Sequence, residues 1–382
     1  MRVIVVGAGA LGTMHAWHAV ERGHEVVHLE REHEARGASV RNFGLVWVGG
    51  RAPGAELAVA RRARELWQEI GDRVPGVGFR PNGSLTVLRT EAEYAVAAEV
   101  AGRPDAAERG FALLDAASMR ALNPALRGAG LLGALYCAAD AAVEPRVAQR
   151  ALREALLASG RYAFFGGREV REVLDGPAGA SAGVRDDRGE VHRGDVVVLC
   201  TGAWLGGLVR ELAPDLPVRR VRLQMMQTEP LGEPLTTSVA DGDSFRYYPA
   251  YAGEALTRLQ EEQPQPPVAA EHRMQLLMVQ RADGGLTVGD THEYDEPFGF
   301  DVVEEPYDHL REVAEAALGR PLPRVRRRWA GVYAQCAEGG STDGVVHRRR
   351  VRDGVWLVTG PGGRGMTCSP AIGEATAEEI GL

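Results

Sequence analysis

The chain contains no lysine: all 44 of its basic residues are arginine. Mechanisms that need a side-chain amine are thereby excluded, whether a Schiff base, a lysine general base or an ammonium set beside a cofactor. Cysteine is scarce as well. Cys137, Cys200, Cys336 and Cys368 lie far apart, form no CxxC pair and supply neither a zinc motif nor a disulfide framework, so free thiols, a cytoplasmic protein and no metal site are expected. No uninterrupted run of eighteen apolar residues occurs, and no membrane span is expected. Positive charge is not in excess: 52 acidic residues outweigh the arginines to give a net charge of -8, which disfavours a general nucleic-acid or anionic-membrane binder. With 45% apolar residues among 382, the chain has ample core material for two or three domains.

What is present begins at the N-terminus. Val3 to Val6 is a β-branched run with no polar face, which predicts a strand buried on both sides in a parallel sheet. Gly7-Ala8-Gly9-Ala10-Leu11-Gly12 follows, then a helical stretch from Thr13 to Glu21 ended by Gly23, then a second strand from Glu25 to Leu29 closing on Glu30. In that setting Gly7 permits the tight turn, Gly9 lets a pyrophosphate approach the backbone, and Gly12 lets helix and strand pack closely. The helix N-terminus offers its unpaired N–H groups to the phosphates. Glu30, eighteen residues past Gly12, is placed for ribose hydroxyls and disfavours a 2′-phosphate, so NAD or FAD is expected rather than NADP.

Three further stretches carry a resemblance. They are the small-residue loop Gly37-Ala38-Ser39-Val40-Arg41-Asn42-Phe43-Gly44, the strand and turn from Asp195 to Thr201-Gly202-Ala203-Trp204, and the stretch from Val355 through Gly360-Pro361-Gly362-Gly363-Arg364-Gly365-Met366. Together with the opening fingerprint they resemble the FAD-dependent D-amino-acid oxidase superfamily, which includes glycine and sarcosine oxidases. Arg41-Asn42-Phe43-Gly44 and the tail from Gly362 are similar to a bacterial subfamily linked with aminophosphonate breakdown. The resemblance spans essentially the whole chain. It implies an α/β protein (α+β overall) in which 1–50, 140–215 and 330–382 form a Rossmann-type FAD-binding domain. A mainly antiparallel substrate domain then comes from 51–139 and 216–329.

The resemblance also implies an activity: oxidation of the C–N bond of a small anionic amine, such as 2-aminoethylphosphonate or an N-substituted relative. Hydride passes to flavin N5, the imine hydrolyses to an aldehyde, and O2 is the expected acceptor, giving H2O2. The alternatives are a D-amino-acid, glycine or sarcosine oxidase, or a flavin subunit of a dehydrogenase complex. The cofactor residues it implies are Gly7, Gly9, Ala10, Leu11 and Gly12; Glu30 and Arg31; Ala38, Ser39, Arg41, Asn42, Phe43 and Gly44. Val170, Thr201, Gly202, Trp204 and Gly331 join them, with Gly362, Gly363, Arg364, Gly365, Met366 and Thr367 from the tail. Sarcosine oxidases attach their flavin to a cysteine near the segment that here reads Ala330-Gly331-Val332-Tyr333. Gly331 stands there, with Cys336 five residues beyond, so non-covalent FAD is expected. Those enzymes also use a lysine to assist oxygen, a task that must fall here to histidine, arginine, the substrate's own charge or a different acceptor.

Candidate substrate-side residues follow from chemistry. His292, after Gly289-Asp290-Thr291, would orient an amine or supply positive charge near N5; the plainer alternative is a satisfied turn histidine. An anion is best clamped by the planar fork of arginine, and Arg41, Arg246 beside Tyr247 and Tyr248, Arg327 or Arg328 before Trp329, and Arg364 are the candidates. His15 and His18 are expected to be packing or surface residues. Arg348-Arg349-Arg350 is expected at a solvated hairpin tip. A helix opening at Pro145 should bury Val147, Ala148, Ala151, Leu152, Ala155 and Leu156, and another should bury Leu57, Ala60, Ala63, Trp67 and Ile70. Strands are expected over Arg220–Thr228, Met274–Val279 and Leu286–Val288. Pro264, Pro266 and Pro267 mark an exposed loop, and Ser369-Pro370 signals a helix start that the resemblance would place a few residues earlier.

Overall fold

Along the first strand, Arg2–Val6, the side chains of Val3 and Val5 enter one hydrophobic core and those of Ile4 and Val6 another. This two-sided burial explains the uninterrupted apolar run, since a parallel strand has no wet face to accommodate a polar residue. The structure, a computed structural model describing residues 1–176 and 181–382, places this strand inside a six-stranded sheet. The order is 347–352, 355–359, 196–199, 2–6, 25–30, 162–166, and all pairs are parallel except the edge hairpin. Four helices cover one face: Ala10–Glu21, Ala55–Arg73, Pro145–Ala158 and Gly365–Ile380. A three-stranded sheet built from Val170–Asp175, Ser181–Asp186 and Val191–His192 covers the other. Leu57, Ala60, Ala63, Trp67 and Ile70 are all buried, each large side chain contributing about 1.5–3 kcal/mol by leaving water.

The second sheet has eight strands in the order 325–336, 218–230, 285–289, 277–280, 238–240, 84–88, 133–137, 111–115. It is antiparallel apart from the 238–240 and 84–88 pair. Its long strand Val218–Pro230 does not alternate between core and solvent: Arg222, Gln224 and Met226 are buried along with Val221, Leu223 and Met225. Both faces are covered, Met225 packing with Phe43 and Trp47 and Met226 with the Glu305–Leu318 helix. Among the described residues the four cysteines are free, and no helix is long and apolar enough to cross a membrane.

Several local expectations are corrected. Val147 is exposed, because the buried stripe of its helix runs through Pro145, Ala148, Gln149, Leu152 and Leu156. The arginine triplet lies along the edge strand His347–Arg352, not at a tip, and its charges are met by Glu379, Asp215 and Asp353. The proline-rich stretch is an exposed loop up to Pro266, as expected, but Pro267 starts a short helix that buries Ala269. The last helix begins at Gly365, a few residues before Ser369 as the resemblance implies and not at Ser369-Pro370, so Pro370 sits inside it. Proline there removes the N–H that would bond to the Met366 carbonyl, which instead accepts from Trp67 Nε1 at 3.0 Å. Residues 325–336 form one strand paired throughout with 218–230, so a boundary at 329/330 cuts a continuous element.

Candidate active site

The first strand delivers the chain to Gly7, whose φ of +97° is a left-handed conformation that suits glycine. A Cβ on Gly12 would lie 1.8 Å from the Gly7 carbonyl oxygen, so the helix can pack this close to the turn only with glycine. The resulting helix N-terminus has no side-chain cap and no acidic residue in its first turn, and the Ala10 N–H donates to Ser39 Oγ at 2.8 Å. Glu30, at the end of the second strand, accepts from the Ala8 N–H at 2.7 Å and the Glu32 N–H at 3.0 Å, which fixes its carboxylate beside the turn. The 37–44 loop is held by Asn42, whose amide donates to the Ala38 and Ser39 carbonyls and accepts from the Gly44 N–H.

These groups line one end of a cavity of about 1050 Å³ running from the parallel sheet to the antiparallel one. Every residue expected at the cofactor lines it except two. Gly12 packs helix on strand behind the wall, and Gly44, with φ of +70° and a notional Cβ 2.2 Å from the Val143 carbonyl, is a backbone crossing point. Arg31 stacks over the Trp204 ring at 4.2 Å at the rim, and Thr201 Oγ1 is buried with no partner among the described residues. Cys336 is absent from the lining and packs against Gly360. A group of acids and a histidine elsewhere, Asp186, Glu190 and His192, is met by Arg168 at 2.6 Å from Asp186 and 2.9 Å from Glu190.

At the other end the antiparallel sheet supplies Gln275, Asp290, His292 and Tyr333, with Tyr247, Tyr248, Trp47 and Arg51 from neighbouring segments. His292 is buried and stacks on Tyr247 at 4.2 Å. Its Nδ1 lies 3.0 Å from the Arg273 carbonyl, which can only accept, so Nδ1 carries the hydrogen and Nε2 presents a lone pair. Burial pulls its pKa down to about 4, with the Arg273 carbonyl opposing. The ring is therefore neutral near pH 7 and does not supply the positive charge anticipated for it. Asp290, also buried, has its pKa raised by desolvation against the Gln275 amide that donates to Oδ1 at 3.3 Å. Its other oxygen lies 3.9 Å from His292 Nε2, and no arginine pairs with it among the described residues. Gln275 Oε1 is buried and has no donor among the described residues.

The arginine candidates divide. Arg41 and Arg364 line the cavity, but their N–H groups also tie the loops together: Arg41 donates to the Arg36 and Ala330 carbonyls, Arg364 to the Pro361 and Gly344 carbonyls and to Glu56. Arg246 is not in the cavity, because one helical turn back Asp243 holds its guanidinium at 2.9 Å and the Gln263 carbonyl takes its other edge. Arg328 also lies outside, over Tyr307 and 3.2 Å from Glu304. Tyr248 does face the cavity, against Trp47. Arg51 went unanticipated: it is buried, donates to the Trp47 carbonyl at 2.8 Å, and lies over the Tyr248 ring at 6.0 Å.

The family model described as FAD dependent oxidoreductase matches residues 2–379. The chain belongs to that family. As an FAD dependent oxidoreductase it takes FAD as its cofactor, and the uncapped helix end, the close-packed glycine turn and the unpartnered Thr201 hydroxyl suit such a group. It is 29% identical to a glycine oxidase of Pseudomonas aeruginosa, over 97% of this chain and 92% of that protein. It is 25% identical to the mitochondrial pyruvate dehydrogenase phosphatase regulatory subunit of Mus musculus, over 99% of this chain but 41% of that protein. Its fold is similar to that of a glycine oxidase from Bacillus cereus, with a TM-score of 0.77 at 19% identity, covering 100% of this chain and 94% of that one.

Proposed function

We propose that the protein oxidises the C–N bond of a small amine bearing an anionic group, an amino acid or an aminophosphonate such as 2-aminoethylphosphonate or an N-substituted relative. O2 would be the acceptor, giving H2O2. FAD would be held without a covalent bond: its diphosphate over Gly9 to Leu11, a ribose on Glu30, and its ring end against Gly331 and the Gly362–Thr367 turn. When bound, the flavin supplies the acceptor for the hydride removed from the substrate carbon. On this reading the sheets correspond to the cofactor-binding and substrate domains, with the whole 325–336 strand assigned to the latter.

The observation that carries the proposal is a buried carboxyl in the cavity, Asp290, 3.9 Å from the His292 Nε2 lone pair and beside Gln275, with no arginine paired to it among the described residues. An ammonium offers three N–H donors and one positive charge, which is what this set lacks. Asp290 would bind the substrate as a cation and then take one proton at Oδ2, leaving the neutral nitrogen that C–H oxidation requires; a carboxyl raised by burial is suited to that exchange. Arg51, held by Trp47 and Thr367 and 3.8 Å from Glu56, would face the anionic end, and Tyr248 and Trp47 wall off water. The likeness to a glycine oxidase supports a small amine. Anaerobic addition of amino acids and aminophosphonates should bleach the visible flavin band and rank the two classes. Bleaching by no amine would refute the proposal.

The likeness to a regulatory subunit favours a second reading, a flavin subunit that works inside a complex. Peroxide release by the isolated chain, with oxygen as sole acceptor, would decide against it.

A further inference from the structure

A second concavity, of about 390 Å³, shares Ala35, Arg36 and Arg41 with the main cavity and is otherwise lined by different residues. Its wall is made by one face of the Pro145–Ala158 helix, where Arg146, Gln149, Arg150 and Arg153 recur at helical spacing, and by Arg327 and Trp329 of the facing strand. The charge there is unbalanced. Glu34 is the acid in the lining and is taken by Arg36 at 3.1 Å. Among the described residues, Arg41, Arg146, Arg150, Arg153 and Arg327 have no carboxylate within ion-pair reach, although the chain as a whole is acidic. Arg146 is exposed and lies over the Trp329 ring at 5.0 Å; partial desolvation, then the like charges of Arg327 and Arg41, hold its pKa down.

A second observation points the same way. Gln149 is 6% exposed, yet among the described residues neither its amide nitrogen nor its amide oxygen has a partner, and Arg327 Nε is likewise buried and unpaired. Buried polar groups such as these are costly without a compensating partner, and the exposed Arg146 and Arg150 add unbalanced charge beside them. Guanidinium forks match the oxygens of a phosphate group, and the volume admits one small molecule. We infer that this arginine-lined concavity binds a doubly charged oxoanion, a phosphate held by Arg146, Arg150 and Arg327 and by the Gln149 amide. Free phosphate and the phosphate of a small metabolite share this chemistry.

The test is calorimetric titration of FAD-saturated protein with inorganic phosphate, against chloride at equal ionic strength. One saturable site per chain is expected. Arg150→Ala and Arg327→Ala should each weaken binding about tenfold, the loss of one charge-assisted contact. Gln149→Leu, which leaves net charge unchanged, should weaken it also, and Arg150→Gln serves where the alanine variant folds poorly, with FAD content as the check on folding. Arg51→Ala, in the main cavity, should leave binding intact. Glycerol 3-phosphate binding more tightly than phosphate would assign the site to an organic phosphate, and equal affinity to the free ion. Absence of saturable binding, binding unchanged in the Arg150/Arg327 double variant, or loss of binding in Arg51→Ala would overturn the inference.

Discussion

Asp290→Asn separates the roles of charge and shape in the substrate end of the cavity. The asparagine occupies the same volume and leaves Gln275 a partner, but it cannot pair with a cation or take a proton. A hydrogen bond to a charged group contributes about 1.5–3 kcal/mol, so kcat/KM for a good amine substrate should fall about 10- to 100-fold. Proton removal adds a pH signature. Burial raises the Asp290 pKa, so the acid limb of kcat/KM in the parent protein should lie above the ordinary carboxylate range, and the variant should lose that limb. Stability should change in the opposite sense. A carboxyl whose folded pKa exceeds its unfolded value favours the folded state at low pH and loses that contribution as pH rises through the folded pKa. The substrate-free variant should therefore resist urea better than the parent at pH 7, with the difference closing on acidification. Steady-state peroxide assays across the neutral range and urea titrations at two pH values check both halves. Full activity with an unchanged acid limb, or lower stability at pH 7, would refute the argument.

Other consequences are as direct. Burial lowers His15, His18, His28 and His292 from 6.5 to about 4, so each contributes up to about 3 kcal/mol that is present above pH 6.5 and lost as pH falls toward 4; the urea midpoint should drop steeply over that interval, and a flat profile would contradict it. Gly12→Ala forces a Cβ to 1.8 Å from the Gly7 carbonyl, so the variant should purify without flavin colour, whereas a yellow variant would show that helix and turn can separate cheaply. Trp67→Phe removes the donor to the Met366 and Thr367 carbonyls and should cost about 2 kcal/mol, read from the urea midpoint. Acid precipitation should release the flavin to the supernatant; pigment retained on the polypeptide would establish a covalent link.

What the sequence shows of this protein is whatever is enforced locally. The Gly7 turn, the Gly12 contact and the apolar strand before them are set by backbone conformation and by burial on both faces, and each leaves its mark within a dozen residues. The substrate end is different, because its members meet only through the antiparallel sheet. Arg246 sits beside the two tyrosines that reach the cavity, but the short Asp243–Tyr247 helix turns successive side chains by about 100°, which sends Arg246 back to Asp243 while Tyr247 faces in. Arg328 adjoins Trp329, but on a strand neighbours point to opposite faces. Arg51 and Asp290 carry no motif; the one available signal was an acid directly after the apolar strand Leu286–Val288, where burial is expected to be costly unless something compensates it. The missing lysine gives that acid its importance. Guanidinium groups keep their protons, and even buried Arg281 falls only to about 10, so arginine cannot trade a proton near neutrality as an amine could. On the proposed reading, arginine holds anions at both concavities, whereas proton exchange at the substrate nitrogen falls to the carboxyl of Asp290 beside a neutral His292.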